Sequence, residues 1–114
     1  MSTNTKNAIL KIGEGCGFSG ATIGCFESIT LGNNVRCGAN VLITDSDWHL
    51  DDPRVGKSKP IVIEDNVWLG YGVVVMKGVR IGENTVIGIN SIVIKDIPKN
   101  VIAAGTPCKV IKQL

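Results

Sequence analysis

Apolar side chains recur at every sixth residue along most of this chain of 114 residues. In the second half the series is Ile63, Leu69, Val75, Ile81, Ile87 and Val93. Backwards from the middle it is Ile43, Cys37, Leu31 and Cys25, and after one extra residue it resumes at Phe18 and Ile12. A helix needs an apolar spacing of three or four, and a hairpin strand alternates by two. A period of six therefore predicts short strands that bend regularly and stack as a parallel solenoid.

The fourth residue of each hexad is small or polar, and most of these residues tolerate a tight corner. The series is Gly15, Ala21, Ser28, Asn34, Asn40, Ser46, Asn66, Gly72, Gly78, Asn84, Asn90 and Asp96. Three hexads would close one triangular coil, so the chain holds about four coils. The composition agrees, because 44% of residues are hydrophobic but only 4% are aromatic, as a narrow prism interior requires. The sequence predicts an all-β fold.

We expect residues 1–114 to form a single domain. The repeat is interrupted by a polar stretch that predicts an extended loop at 44–60, and it ends before a C-terminal cap at 98–114. A loop of this length in a compact repeat is usually functional or disordered. No apolar run approaches the roughly 18 residues of a membrane span, and the first residues do not resemble a signal peptide, so we expect no membrane insertion and a cytoplasmic location.

Charge and cysteine usage exclude several classes of function. A net charge of +2 without a dense basic patch does not indicate a nucleic-acid partner. The four cysteines form no zinc spacing, and most of them occupy inward positions that favour inert packing. A single histidine excludes a metal site that needs two or three imidazoles per chain, so no metal is expected. Four lysines of the C-terminal segment, Lys95, Lys99, Lys109 and Lys112, would either meet phosphates or only solubilise a cap.

The only histidine, His49, lies in the predicted loop beside Trp48 and four aspartates. A histidine suits general-base catalysis, because the imidazole accepts a proton near neutral pH. Asp45 or Asp47 would orient the ring, and nothing in the spacing chooses between them. A solvated loop histidine is the alternative, and glycosidase chemistry by two of the aspartates ranks low because they share one flexible segment.

The segment from Ile61 to Ile111 resembles the hexapeptide-repeat acetyltransferases, with the closest likeness to the maltose, galactoside and capsular-sugar O-acetyltransferases. The matching motifs are NVWLG, VRIGENTVIG and AAGTPCKVI. This resemblance implies a left-handed parallel β-helix that assembles as a homotrimer with active sites between subunits. The implied reaction moves an acetyl group from acetyl-CoA to a hydroxyl of a sugar or saccharide acceptor. His49 matches the catalytic base of the family.

The resemblance also implies roles for individual positions. Trp68 matches a tryptophan that lines the groove, and the backbone N–H of Tyr71 would stabilise the developing oxyanion. The implied cofactor-binding residues are Gly70, Tyr71, Gly88, Ile89, Ile94, Lys95, Pro107 and Lys112. The expected acceptor-binding residues are Asp45, Asp47, Trp48 and Trp68. Two other functions remain open: a non-catalytic trimerisation or scaffold module, and acetyl transfer to a non-sugar acceptor such as serine.

Overall fold

The computed structural model describes residues 2–3, 7–49 and 51–114, and for residues 2–3 only the backbone. Every regular element in these ranges is a strand, and no helix long and apolar enough to cross a membrane is found among them. The strands are β1 (Ser2–Thr3), β2 (Ile9–Ile12), β3 (Gly17–Phe18), β4 (Thr22–Cys25), β5 (Ser28–Leu31), β6 (Arg36–Cys37), β7 (Leu42–Thr44), β8 (Ile61–Ile63), β9 (Trp68–Leu69), β10 (Val74–Val75), β11 (Arg80–Ile81), β12 (Val86–Ile87), β13 (Ile92–Val93), β14 (Val101–Ala104) and β15 (Lys109–Gln113).

The strands form the three faces of a prism. Sheet A has the order β1-β4-β7-β10-β13, sheet B the order β11-β8-β5-β2, and sheet C the order β15-β14-β12-β9-β6-β3. All pairings are parallel except the last, because β15 returns antiparallel to β14. The predicted β-helix of hexapeptide coils is confirmed. It has about five turns rather than four, because β1, the Ile81–Ile97 bridge and β14 add partial coils to the four complete ones.

The repeated apolar positions fill the interior of the prism. From Leu31 to Val93 every residue of the predicted series is at most 3% exposed, and Ile12 and Phe18 pack against this core while remaining half-buried. The register prediction is wrong at one point. The series places Cys25 one coil before Ile43, but Ile43 pairs with Ile23, which is fully buried, as Cys25 also is. The reason is that β4 is longer than a hexad strand, so that both Ile23 and Cys25 point inward.

The corners follow the predicted residues at most positions. Positive φ angles are found at Gly15, Asn34, Asn40, Asn66, Gly72, Gly78, Asn84 and Asn90. The other predicted corners, Ala21, Ser28, Ser46 and Asp96, have no positive φ. Two corners carry most of the site residues predicted from the sequence. Corner CA joins strands of sheet C to those of sheet A and includes residues 38–40, 70–72 and 88–90; corner AB joins sheet A to sheet B and includes residues 45–60, 76–78 and 94–96.

Candidate functional site

The segment between β7 and β8 forms a long excursion from corner AB. Its two ends are tied to the coils, because Lys59 N–H donates to the carbonyl of Asp45 at 3.0 Å and Gly78 N–H donates to the carbonyl of Lys59 at 3.2 Å. Within the excursion, His49 N–H donates to the carbonyl of Asp47, and Asp52 N–H donates to the carbonyl of His49. These local bonds give the segment a turned conformation that a polar sequence alone does not specify.

Asp45 is fully buried at the base of this loop. Its carboxylate accepts hydrogen bonds from the backbone N–H groups of Phe26, Glu27 and Ser28, at 2.7, 2.8 and 2.8 Å. The side chain therefore closes the corner between β4 and β5 in place of a glycine or asparagine. Acceptor binding by Asp45, expected from the sequence, does not fit this burial, because both carboxylate oxygens are occupied inside the fold.

Asp47 has a different role at the same loop. Its carboxylate lies 2.7 Å from the ammonium of Lys77, which belongs to the next coil of corner AB, and both side chains are mostly covered. A partly covered ion pair of this kind is screened less than one at the surface. Asp47 therefore fastens the loop to the prism. Among the residues that the structure describes, neither Asp45 nor Asp47 bonds to the His49 imidazole.

Trp48 holds the position that precedes the histidine. Its φ is +71°, a left-handed backbone conformation that is uncommon for a bulky residue and that clusters at functional sites. The ring of Phe26 meets the indole edge-on, with centroids 5.0 Å apart. Gly24 leaves room for the indole, because a Cβ there would lie 2.2 Å from Trp48 Cζ2. The strained turn and the packed indole direct the chain so that His49 is exposed.

Corner CA carries the second group of predicted site residues. Tyr71 and Ile89 are the exposed corner residues of successive coils. The Tyr71 hydroxyl accepts a hydrogen bond from Asn40 Nδ2 at 2.9 Å, which holds the ring toward the preceding coil. Across the described ranges, no acceptor is found for the Tyr71 backbone N–H. Gly38 leaves that amide uncovered, because a Cβ there would lie 2.9 Å from the Tyr71 nitrogen.

The remaining predicted residues are divided between the two corners. Ile94 and Lys95 follow β13 at corner AB, the corner that carries the His49 loop. Gly70, Gly88 and the turn containing Pro107 lie at corner CA, and Lys112 is exposed on β15 of sheet C. Sheet A separates the two corners within one chain. Among the described residues of this chain, no hydrogen bond or ring contact joins His49 to Tyr71 or Ile89.

Trp68 points outward from sheet C and is 52% exposed. It lines an open groove of about 420 Å³ together with Gly17, Phe18, Ser19, Arg36, Cys37 and Gly38. The family resemblance points to Trp68 but not to Arg36, which pairs with Trp68 on the adjacent strand. The signal was available, since both residues immediately precede an inward position of the hexad series and belong to the same face of successive coils.

Cys37 lines this groove, but like Cys25 and Cys108 it is buried. Burial raises the pKa of the Cys37 thiol to about 12, and it also raises the pKa values of Cys25 and Cys108. Thiols with raised pKa values stay protonated near neutral pH and are poor nucleophiles. Within residues 7–49 and 51–114, no group of three or more metal-ligating side chains is found.

Comparison with known proteins identifies the repeat. Residues 60–95 match the family model described as bacterial transferase hexapeptide (six repeats). A galactoside O-acetyltransferase from Lactococcus lactis is 50% identical over 91 residues, covering 75% of this chain and 44% of that protein. The galactoside O-acetyltransferase of Escherichia coli K12 is 47% identical over 91 residues, covering 76% of this chain and 45% of that protein.

Solved structures agree with the sequence matches. A maltose O-acetyltransferase from Clostridium difficile 630 superposes with a TM-score of 0.78 at 38% identity, covering 92% of this chain and 59% of the other. A hexapeptide-repeat acetyltransferase from Vibrio cholerae reaches a TM-score of 0.83 at 31% identity, covering 92% and 62%. The coiled hexads with an inserted loop define a hexapeptide-repeat transferase domain. The chain spans a little under half the length of the curated relatives it matches.

Proposed function

We propose that the protein is an acetyl-CoA-dependent O-acetyltransferase that modifies a hydroxyl of a sugar or saccharide. Three of the four similar proteins named above are galactoside or maltose O-acetyltransferases. The observation that carries the proposal is the exposed His49, which follows a left-handed Trp48 on the long loop between β7 and β8. The cytoplasmic location expected from the sequence stays a prediction.

His49 acts as the general base in this proposal. The acceptor hydroxyl gives its proton to the imidazole as its oxygen forms a bond to the acetyl carbonyl carbon. The carbon–sulfur bond then breaks, and the leaving sulfur takes the proton from the imidazolium. Positioned acid–base groups of this kind contribute about a hundredfold to ten-thousandfold in rate.

The backbone N–H of Tyr71 stabilises the charge that develops on the acetyl carbonyl oxygen. This amide fits the role because it has no acceptor of its own within the described ranges and because Gly38 leaves it uncovered. A single donor of this type in an oxyanion hole is worth about a hundredfold to a thousandfold in kcat.

Acetyl-CoA supplies the acetyl group as a thioester. In this proposal its narrow pantetheine arm lies along corner CA at Gly70 and Gly88, two part-exposed glycines that add no side chain to the surface. The exposed lysines of the C-terminal hairpin, Lys109 and Lys112, would meet its phosphates. Lysine there provides charge without the paired geometry of an arginine.

A homotrimer completes the site, because His49 and Tyr71 project from different corners of one prism. When the prisms pack side by side, corner AB of one chain and corner CA of its neighbour share a groove. The outward face of sheet A supports this arrangement, since Leu42, Val74 and Ile92 form an aliphatic row that remains only half-buried in one chain. Exposed apolar rows of this kind mark subunit interfaces.

The proposal is tested by replacing His49. His49→Ala and His49→Asn should lower kcat by at least about a hundredfold while the KM for acetyl-CoA stays unchanged. Release of free thiol from acetyl-CoA is followed with galactosides, maltose and L-serine as acceptors. Lys57→Ala, an exposed change in the same loop, is the matched control and should keep wild-type rates.

Near-normal turnover of His49→Ala would remove the histidine from the mechanism. Turnover with L-serine but with no saccharide would assign a different acceptor. If no acceptor releases thiol and calorimetry detects no binding of CoA, the chain is a non-catalytic scaffold.

A further inference from the structure

The groove beside Trp68 contains a cation that the proposed reaction does not yet use. Arg36 lies on β6, between Gly17 of β3 and Trp68 of β9 in the registered ladder of sheet C. Its side chain is exposed on the outer face of the sheet, and it lines the groove of about 420 Å³.

Arg36 differs from the other two arginines in its partners. Arg54 forms an ion pair with Asp52, and Arg80 forms one with Glu64. For Arg36, no carboxylate partner is found in the part of the chain that the structure describes, and no acidic residue lines the groove. Burial keeps the Cys37 thiol protonated by raising its pKa to about 12, so the charge of the groove comes from the guanidinium.

The shape of the groove suits a saccharide ring. The groove is open at Gly17, because a Cβ at this position would have no atom within 4 Å. Packing of the fold therefore does not require a glycine there. Trp68 supplies an exposed aromatic face, which a sugar ring contacts through its C–H groups. Gly38 also lines the groove and adjoins the Tyr71 backbone amide.

The position on sheet C separates this cation from the lysines of the C-terminal hairpin. Arg36 and Lys112 lie on β6 and β15, four strands apart in the sheet order, which at about 4.8 Å per strand is roughly 19 Å. The groove therefore lies on the side of the Tyr71 amide opposite the C-terminal lysines, where an acceptor rather than the phosphates would bind.

We propose that Arg36 and Trp68 form an acceptor subsite for a saccharide that carries a carboxylate, as in a hexuronic acid. The planar guanidinium makes two parallel hydrogen bonds to the carboxylate while the sugar ring lies on the indole. This inference rests on the proposed acetyltransferase function, and it narrows the acceptor to an acidic sugar.

The test compares matched ligands that differ at one carbon. Methyl galactoside, methyl galacturonoside and methyl galactoside 6-phosphate, and the corresponding gluco series, are titrated into the protein and followed by NMR. The wild-type chain should bind at least one uronoside about ten- to a hundredfold more tightly than its neutral partner, as expected for charge-assisted bonds. Arg36→Met should reduce this ratio to about one, and Arg36→Lys should restore part of it.

Two further variants separate charge from shape. Gly17→Val fills the floor of the groove without a clash and should weaken binding of charged and neutral sugars alike. Lys11→Met removes an exposed positive charge from β2 of sheet B and should leave the uronoside ratio unchanged. Light scattering should give the same mass for Arg36→Met as for the wild type.

Equal affinity of the wild type for every uronoside and its neutral partner would overturn the proposal. So would a preference that persists in Arg36→Met, a tighter binding of the 6-phosphate, a change of assembly mass, or an effect of Arg36→Met on acetyl-CoA alone. Because the titration needs no turnover, the two proposals fail separately. Thiol release with neutral sugars only would leave the acetyltransferase proposal intact, and uronoside binding without thiol release would leave the subsite intact.

Discussion

The carboxylate of Asp45 lies in the corner where β4 turns into β5, and it accepts hydrogen bonds from three consecutive backbone amides. We expect Asp45→Ala to lower the free energy of unfolding by about 3–5 kcal/mol, because it leaves buried or part-buried donors without an acceptor. Asp45→Asn should cost roughly half as much, since one amide oxygen still accepts. Urea denaturation followed by circular dichroism measures both.

Asp51→Ala is the control for this substitution. Asp51 is an exposed aspartate of the same loop, and its loss should change stability by less than about 0.5 kcal/mol. If Asp45→Ala were as mild as Asp51→Ala, the corner would not depend on the buried carboxylate.

Gly24 gives the second prediction at the residue scale. In Gly24→Ala the new Cβ would overlap Trp48 Cζ2, so the indole must leave its position against Phe26. Loss of the aromatic pair costs about 0.5–1.5 kcal/mol, and the displaced loop moves His49. Because misplacement by about 1 Å can cost a hundredfold, kcat should fall by roughly ten- to a hundredfold. Thr22→Ala, on the exposed face of the same strand, should leave kcat within twofold of wild type, and an active Gly24→Ala would separate the indole from catalysis.

Individual side chains were the least predictable part of the site. Asp45 and Asp47 look alike in the sequence, yet one closes a buried corner and the other holds Lys77. Their roles depend on which coil lies beside the loop, and local spacing carries no such information. The groove position of Arg36 was not predicted, because it depends on the neighbouring Trp68. The two residues are 32 positions apart in sequence but lie on adjacent strands.

At the scale of elements, asparagines at successive corners between sheets B and C form a ladder. Asn66 Nδ2 donates to Asn84 Oδ1 at 3.2 Å, and Asn84 Nδ2 donates to Asn100 Oδ1 at 3.0 Å. The three residues have φ angles of 58–59°. The side chains therefore connect coils along the edge of the prism, where the sheets themselves do not.

Asn84→Ala should lower the free energy of unfolding by about 1–2 kcal/mol, because alanine is strained in the left-handed conformation and makes no ladder bond. Asn84→Gly keeps the backbone conformation and loses only the exposed bonds, so its cost should be smaller. Thermal unfolding of the two variants measures the difference. If the alanine and glycine variants were equally stable, asparagine would not stabilise the fold through the left-handed conformation of the corner.

Most of the fold was predictable at this scale. The hexad pattern predicts which residue points inward, which residue forms the corner and where each short strand lies. The prediction was wrong at β4, which is longer than the strand of a hexad. The hexad series stacks Ile43 on Cys25, whereas in the structure Ile43 pairs with Ile23. Both residues are apolar, so the sequence alone offers two registers. In the structure both Ile23 and Cys25 are buried, and the Asp45 carboxylate accepts hydrogen bonds from the backbone of the corner that follows.

At the scale of the whole molecule, the proposed site needs residues from two chains, and mixing two inactive variants tests this directly. His49→Ala removes the base, and Ile89→Trp enlarges an exposed side chain in the groove of corner CA. Each variant should be inactive alone as a trimer of the 12.1 kDa chain. Unfolding and refolding them together should recover about a quarter of wild-type activity, because random assembly pairs an intact His49 with an intact groove at that frequency.

Refolding each variant separately is the control for this experiment, and light scattering confirms the assembly. No recovery in mixed trimers would mean that His49 and the groove of the same chain form the site.

The C-terminal end of the prism has a consequence for growth of the molecule. The edge of β13 is covered by the turn at 105–108, which bonds to both sides of Ile92, and the edge of β11 is covered by Ile97. The third edge, β14, is met by β15 running in the opposite direction with exposed Lys109 and Lys112. A stack of identical parallel coils would otherwise offer a template on which another copy extends the column into a fibre. Because β15 is antiparallel and carries exposed lysines, another copy of the chain cannot add a parallel strand at this edge. Copies of the chain therefore associate through the sides of the prism.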